Sequence, residues 1–302
     1  MQRGRDRSGR FRLLIPLGWV YNQNVKVRKR SLSSGWYPDD VRGIEDWFEE
    51  WKEKSPPAAA GEMVAGIVPH AGWYFSGDLA FLVFNSIDST VDTVVVVGGH
   101  LPADGPVYVA PEDAYDTPLG QVQADIELRR AIIREMPCED DHGTDNTVEV
   151  QLPLLRGLLP GSRALALRAP AGHSAVQLGL AIAAAAERLS RKVAVIGSSD
   201  LTHYGPQYRY SPMGVGETAL RWVKEVNDAE MIRFFVDLDA QGAIMFAREH
   251  RAACSVGAAA AAIAFAGAKG AVNGELLKYR TSRERGPASS FVGYAAITYS
   301  LN

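Results

Sequence analysis

Three histidines, one aspartate and one cysteine are the residues in this chain best suited to chemistry. Each histidine follows or closes an apolar run. VAGIV (64–68) leads into Pro69-His70, and TVVVVGG (93–99) into His100. VAVIGSS (193–199) leads into Asp200-Leu201-Thr202-His203-Tyr204-Gly205. A neutral imidazole binds Fe, Cu, Zn, Co or Ni through one ring nitrogen. A third ligand would come from a carboxylate or a thiolate, and both are at hand. Asp200 is one. Cys254, in HRAACSVG just before an Ala-rich helix, is the other. A helix N-terminus favours a thiolate, which suits metal binding and nucleophilic attack alike. The plainer role for Cys254 is a small residue filling space beside alanines. Two imidazoles with a sulfur or a carboxylate leave coordination positions open to a ligand. Asp200 and His203, three apart, would share a face of a helical turn, where the carboxylate would orient the imidazole as a general acid or base. Alternatively, Asp200 caps the next segment and His203 packs on Tyr204.

For these groups to meet, the elements around them must bring distant segments together. GIVPHAGWYFSG (66–77) reads as strand, tight turn and helix, with His70 at the strand tip and a helix over 76–87. In open α/β sheets ligands bind at such tips. The continuous apolar character of 93–99 and 193–199 predicts strands buried on both faces. If the strands are parallel, all the polar tips fall on one sheet edge. A helix is expected after Asp39-Asp40, stopped at Lys54-Ser55-Pro56-Pro57. Others are expected over 124–136 and 146–159, with Pro153 in a first turn or at a kink. Segment 107–110 reads as an edge strand or hairpin arm, and 164–170 as a strand. Ser174 and Gln177 have capping-box spacing before the next helix. Two helices broken near 237–242 and a small-residue helix over 255–268 follow, then two closing strands. Strands alternating with helices predict a single-domain, three-layer αβα sandwich with a largely parallel or mixed sheet. The basic segment 1–27 reads as a partly disordered or extended arm, and 28–302 as the α/β domain.

Composition narrows the function classes. The 302 residues are 47% hydrophobic and 22% charged, with net charge -3, which gives no general attraction to nucleic acid or anionic membrane. No apolar stretch has the length of a spanning helix. The basic start lacks the features of a signal peptide. The only cysteines, Cys138 and Cys254, have no CxxC spacing, so an intracellular, cytoplasmic setting is expected. His142 in an acidic loop reads as solvated, His173 as support for Ser174, and His250 as surface. Glu149 would point either into the site or into solvent. Gly98-Gly99 is only a faint phosphate-turn signal. The aromatics Trp73, Tyr74 and Phe75 could anchor a partner.

The ordered blocks RKRSLSSGWYP, GIVPHAGWYFSG, VVVVGGH, DNTVEVQLPLL, IGSSDLTHYG, AACSVGAAAAAI and SSFVGYAAITYS run from about Arg28 to the C-terminus. They resemble the Memo family, the "AmmeMemoRadiSam system protein B" of bacteria and archaea. PHAGxxxSG and SSDxxHxG are the most specific. The resemblance implies an α/β fold like that of class III extradiol dioxygenases. It also implies a metal held by His70, His100 and Cys254, with Asp200 and His203 lining the same pocket. The chain departs from the family pattern in three places. Asp145-Asn146-Thr147 stands where Glu-His-Ser is usual. Cys254-Ser255-Val256-Gly257-Ala258 replaces Cys-Gly-x-x-Pro. Gly98-Gly99 lacks the hydroxyl usual before His100. The implied function is a mononuclear metal protein, with Fe(II) or Cu first and Zn also compatible with a thiolate. It would be a redox or oxygenase-like enzyme acting on a small molecule. The alternatives are a metal- or peptide-binding scaffold and a hydrolase or transferase using Cys254 as a nucleophile activated by His203.

Overall fold

The computed structural model describes residues 25–54 and 61–301. Most of the expected N-terminal arm and the Ser55-Pro56-Pro57 stop lie outside the described residues. In chain order the principal elements are α1 (Val41–Lys54), β1 (Glu62–Val68), α2 (Trp73–Asn85), β2 (Thr93–Gly98), α3 (Ile126–Glu135), β3 (Arg163–Arg168), α4 (His173–Arg188) and β4 (Val193–Ser198). After these come α5 (Asp228–Val236), α6 (Ala240–His250), α7 (Val256–Lys269), β5 (Gly274–Thr281) and β6 (Phe291–Leu301).

The main sheet is mixed. Its order is His203–Tyr204, β6, β1, β4, β2, β3, Tyr108–Val109 and Glu139–Asp140, with β5 paired to β6. The centre β1-β4-β2-β3 is parallel, and β6 closes antiparallel on β1. Val95 sits in register with both Leu165 and Val195. Successive side chains of a strand face opposite ways, and here the two sets enter two separate cores. Val95, Val97 and Val195 pack with Leu178 and Ile182 of α4 and the alanines of α7. Val94, Val96 and Ile196 pack with Phe81 and Phe84 of α2, Trp51 of α1, and Leu154 and Leu155. Every residue of β2 and β4 is buried. Each buried valine contributes about 1.5–3 kcal/mol of transfer free energy, so both helical layers are needed and the sandwich has three layers.

Close approach between layers depends on absent side chains. A Cβ on Gly179 of α4 would lie 2.3 Å from the Ala261 carbonyl oxygen of α7, and one on Gly197 of β4 would lie 2.6 Å from that of Ala258. The small-residue helix seen in the sequence is therefore the element pressed against both α4 and the sheet.

Several local expectations change. α2 begins at Trp73, so the aromatic triplet forms its first turn instead of preceding it. Trp73 is buried, stacked with Phe48 and edge-on to Trp51, and its indole N–H donates to the Val150 carbonyl at 3.2 Å. α4 starts at His173 with Gly172 as N-cap, so Ser174 caps nothing, and His173 contacts Gln241 instead. Segment 107–110 forms only the pair Tyr108–Val109, and it is flanked on both sides. Pro153 lies in the first turn of the helix Leu152–Leu158, as required by its missing N–H. No described helix is long and apolar enough to cross a membrane.

Candidate metal centre

The parallel centre of the sheet builds the site. β4 lies between β1 and β2, so the segments following these strands leave the same edge side by side. His70 leaves β1, His100 leaves β2 and Asp200 leaves β4. Cys254 arrives from elsewhere, immediately before the Ser255 N-cap of α7. It is fixed by its amide, which donates to the Asp200 carbonyl at 3.2 Å, while the Ser255 amide donates to Ser199 Oγ at 3.3 Å.

His70, His100 and Cys254 each offer one ligand atom, and these atoms lie within 4.8 Å of one another. Asp200, His203 and Cys254 form a second group of the same size around the shared sulfur. The His70 and His100 rings are edge-to-face with centroids 4.9 Å apart. Cys254 Sγ is 3.1 Å from His70 Nε2. All five residues singled out in the sequence therefore converge, and both candidates for a third ligand are present.

Each group is held from behind. His70 is buried; its Nδ1 lies 3.3 Å from Ser198 Oγ, which accepts from Gln151 Nε2 at 3.2 Å. Gln151 also donates to the Pro69 carbonyl at 2.8 Å, and Asn146 Nδ2 donates to the His70 carbonyl at 3.1 Å. His100 has φ of 59°, the left-handed region that non-glycine residues enter rarely. Its Nδ1 lies 3.4 Å from Asp145 Oδ2. A carboxylate behind an imidazole in this way fixes the ring and raises its basicity as a ligand.

Asp200 divides its oxygens. Oδ1 accepts the His70 backbone N–H at 2.7 Å, whereas Oδ2 lies 3.6 Å from His203 Nε2 and 3.9 Å from His70 Nε2. The expected helical turn between Asp200 and His203 is absent. His203–Tyr204 is a short strand paired with Val292 and Phe291 of β6. The intervening Thr202 is tied by its amide (3.1 Å) and hydroxyl (2.5 Å) to buried Asp228. His203 Nε2 is itself buried and, among the described residues, makes no hydrogen bond beyond the 3.6 Å ion pair with Asp200.

The electrostatics are cooperative. Burial pushes the Cys254 thiol up, but His70, His100 and His203 around it bring it well below the usual thiol value. His100 is raised to about 10 by its contact with Asp145 and then by Cys254. Burial works against protonation of His203, yet Asp200 and Cys254 raise it to about 10. Burial likewise opposes a charge on His70, and Asp200 and Cys254 outweigh it. Asp145 is lowered to about 2: burial raises it, and His100 and Thr147 more than compensate. The thiol and the two carboxylates thus hold the three imidazoles toward their protonated form.

The departures from the family pattern become legible. A Cβ on Gly98 would lie 2.1 Å from Thr147 Oγ1, and one on Gly99 would lie 2.5 Å from Ser255 Cβ. Thr147 Oγ1 accepts the Gly99 amide at 3.2 Å, so a hydroxyl from another segment occupies this strand tip. Glu149, by contrast, belongs to no site: it accepts from the amides of Ser31 and Leu32 and from Tyr37. His142 is exposed, and Cys138 packs against the core without a partner cysteine.

A family profile described as "Memo-like protein" matches residues 28–298. This chain belongs to the Memo-like family. A MEMO1 family protein of Thermococcus onnurineus is 31% identical over 288 residues, covering 90% of this chain and 99% of that protein. A homologue in Methanopyrus kandleri is 34% identical over 281 residues, covering 87% of this chain and 94% of its own. One in Pyrococcus furiosus is 31% identical over 289 residues, covering 90% and 98% respectively. The three-layer architecture agrees with the extradiol dioxygenase-like fold that Memo membership implies.

Ser198 and Gln151 were not singled out in the sequence, and Asp145 and Thr147 stood there only as departures from the family pattern. Their types carry no signal at their own positions. Only the packing of 145–151 over the strand tips gives them a place.

Proposed function

We propose that this Memo-like protein holds one transition-metal ion on His70, His100 and Cys254 and uses it on a small molecule entering the adjoining cleft. The observation that carries the reading is the meeting of two imidazoles and a sulfur within 4.8 Å from three remote segments. The donor set fits. Two nitrogens and a soft sulfur suit iron, copper or zinc, and suit Mg or Ca poorly. The buried Nε2 of His203 has only a long ion pair with Asp200 and no hydrogen bond among the described residues, which leaves a place for a further partner.

Bound iron or copper would supply redox chemistry and Lewis acidity, and zinc Lewis acidity alone. The chain's own residues have separable tasks. Ser198 and Asp145 take the Nδ1 sides of His70 and His100, which fixes each ring. Asp200 clamps the turn through the His70 amide and keeps a proton on His203. His203 lines a cleft of about 770 Å³ together with His70, His100 and Asp200, so it is placed to give a proton to a substrate there.

Anaerobic purification with elemental analysis tests the ligand assignment. His70→Ala, His100→Ala and Cys254→Ser should each lose most of the bound metal while remaining folded by circular dichroism. Retention at wild-type stoichiometry would refute the assignment. His203→Ala should keep the metal and lose turnover.

A second reading has an observation of its own. The 3.1 Å contact between Cys254 Sγ and His70 Nε2 would also suit a nucleophile–base pair, with His70 in the place expected of His203. An activity that survives chelation and is abolished by iodoacetamide would favour it.

A further inference from the structure

Among the described residues, the one arginine lining the cleft above the donor cluster has only a long ion pair, and we propose that it recognises the anionic group of an aromatic substrate. The cation is Arg285, in the 3-10 turn Ser282–Arg285 between β5 and β6. The inference rests on the proposed use of this cleft as a substrate site and adds the substrate's chemical class.

The neighbouring charges are already engaged. Glu284 accepts the Thr281 amide at 3.2 Å in a capping box, and Arg283 pairs with Glu217 at 3.0 Å. Asp78, the acid with which Arg285 pairs, is taken by Arg280 (Nη1 at 3.0 Å, with Nη2 closer still) and by Lys278 at 2.9 Å. Arg280 is buried and also donates to the Phe75 carbonyl, so it locks β5 to α2. Arg285 reaches the same carboxylate only at 3.8 Å. One carboxylate among three cations leaves net positive charge, and the loosest of the three faces the cleft. Its guanidinium makes no hydrogen bond among the described residues, and its Nε is buried without a partner. An arginine fork in this condition matches a carboxylate or phosphate.

The same wall supplies apolar, planar surface. The Arg285 guanidinium stands 5.3 Å from the centre of the Tyr74 ring. Tyr74 and Phe75 are 51% and 40% exposed despite their size, and both line the cleft with Trp36, Tyr208 and Tyr294. Such a surface takes a ring by stacking or edge contact. The other acidic group of the cleft, Asp200, is buried at the floor and spent on His70 and His203. The cleft is therefore polar and metal-competent at its floor, aromatic on its wall and cationic at Arg285. A small aromatic acid fits this arrangement, its ring on the aromatic wall and its anion on the guanidinium.

Calorimetric titration of the metal-loaded protein with benzoate, phenyl phosphate and benzyl alcohol tests the proposal. Arg285→Gln should weaken benzoate and phenyl phosphate by about tenfold or more. Arg285→Lys should give an intermediate loss, and benzyl alcohol should bind equally to all three proteins. Metal content should be unchanged in both variants, which separates this outcome from failure of the ligand assignment. Benzoate binding that is absent in the wild type, or unaltered in Arg285→Gln, would overturn the proposal. So would benzoate binding lost in metal-free His70→Ala but kept in Arg285→Gln, because the anion would then be bound by the metal.

Discussion

At the scale of single residues, the site is organised by charge: a thiolate and two carboxylates face three imidazoles whose pKa values they raise. Without metal, Cys254 is held as thiolate, and His100 and His203 are each raised to about 10 by the negative groups around them. A metal held as proposed would displace protons from the imidazoles that ligate it. Affinity is therefore expected to rise steadily from pH 6 to pH 9, with protons released on loading. Competition titrations against a chromophoric chelator would show this, and a flat profile would contradict the assigned protonation. Asp145→Asn should weaken metal binding by about 10–100-fold through His100 while leaving His70 in place. The residues that meet at the strand tips were legible in the sequence, because His and Asp after apolar runs and a Cys just before a helix are unusual in type. Those that hold them were not. Ser198, Gln151 and Thr147 are ordinary residues whose roles come from what they touch.

At the scale of elements, the strand tips are positioned by close packing from behind. α7 presses on α4 and β4 through Gly179 and Gly197, where an added Cβ would meet backbone at 2.3 and 2.6 Å. Gly179→Ala should thus cost about 1–3 kcal/mol, read as a lower urea midpoint with unchanged slope. Cys254 sits at the start of α7, so the same variant should also loosen the sulfur and reduce metal affinity. The run of alanines pointed to a close-packing helix. It did not specify the partner, since small residues permit approach from any side. The aromatic triplet shows the same limit. Trp73, Tyr74 and Phe75 look equivalent in the sequence, but helix periodicity buries the first and exposes the other two.

At the scale of the whole molecule, a buried carboxylate joins three distant segments. Asp228 of α5 accepts from Thr202 in the loop that follows Asp200 and, at 2.8 Å, from Tyr279 of β5. Burial raises its pKa from 3.8 to about 6, despite the hydrogen bonds from Thr202 and Tyr279. A raised carboxyl pKa means the folded protein binds the proton more tightly than the unfolded chain. This contribution is complete below about pH 4 and is lost as the pH rises through about 6, a difference of roughly 3 kcal/mol. Asp145, lowered to about 2, works in the opposite direction and in a separate window, losing its contribution as pH falls below about 4. Global stability measured from pH 4 to pH 7 should therefore decline less steeply in Asp228→Asn than in the wild type. Identical slopes would remove Asp228 as the source.

The order of apolar runs, the breaks between them and the residue types at their ends determined an α/β chain with reactive tips on its strands. These are local properties, set by burial on two faces and by backbone chemistry at each turn. Whether the tips met depended on strand order. Placing β4 between β1 and β2 and bringing Cys254 back across 184 residues to His70 are decisions of packing. The paired carboxylates, the loosely paired guanidinium of Arg285 and the glycine contacts belong to that level as well. No window of sequence contains both partners of such a contact, so only the folded chain could reveal them.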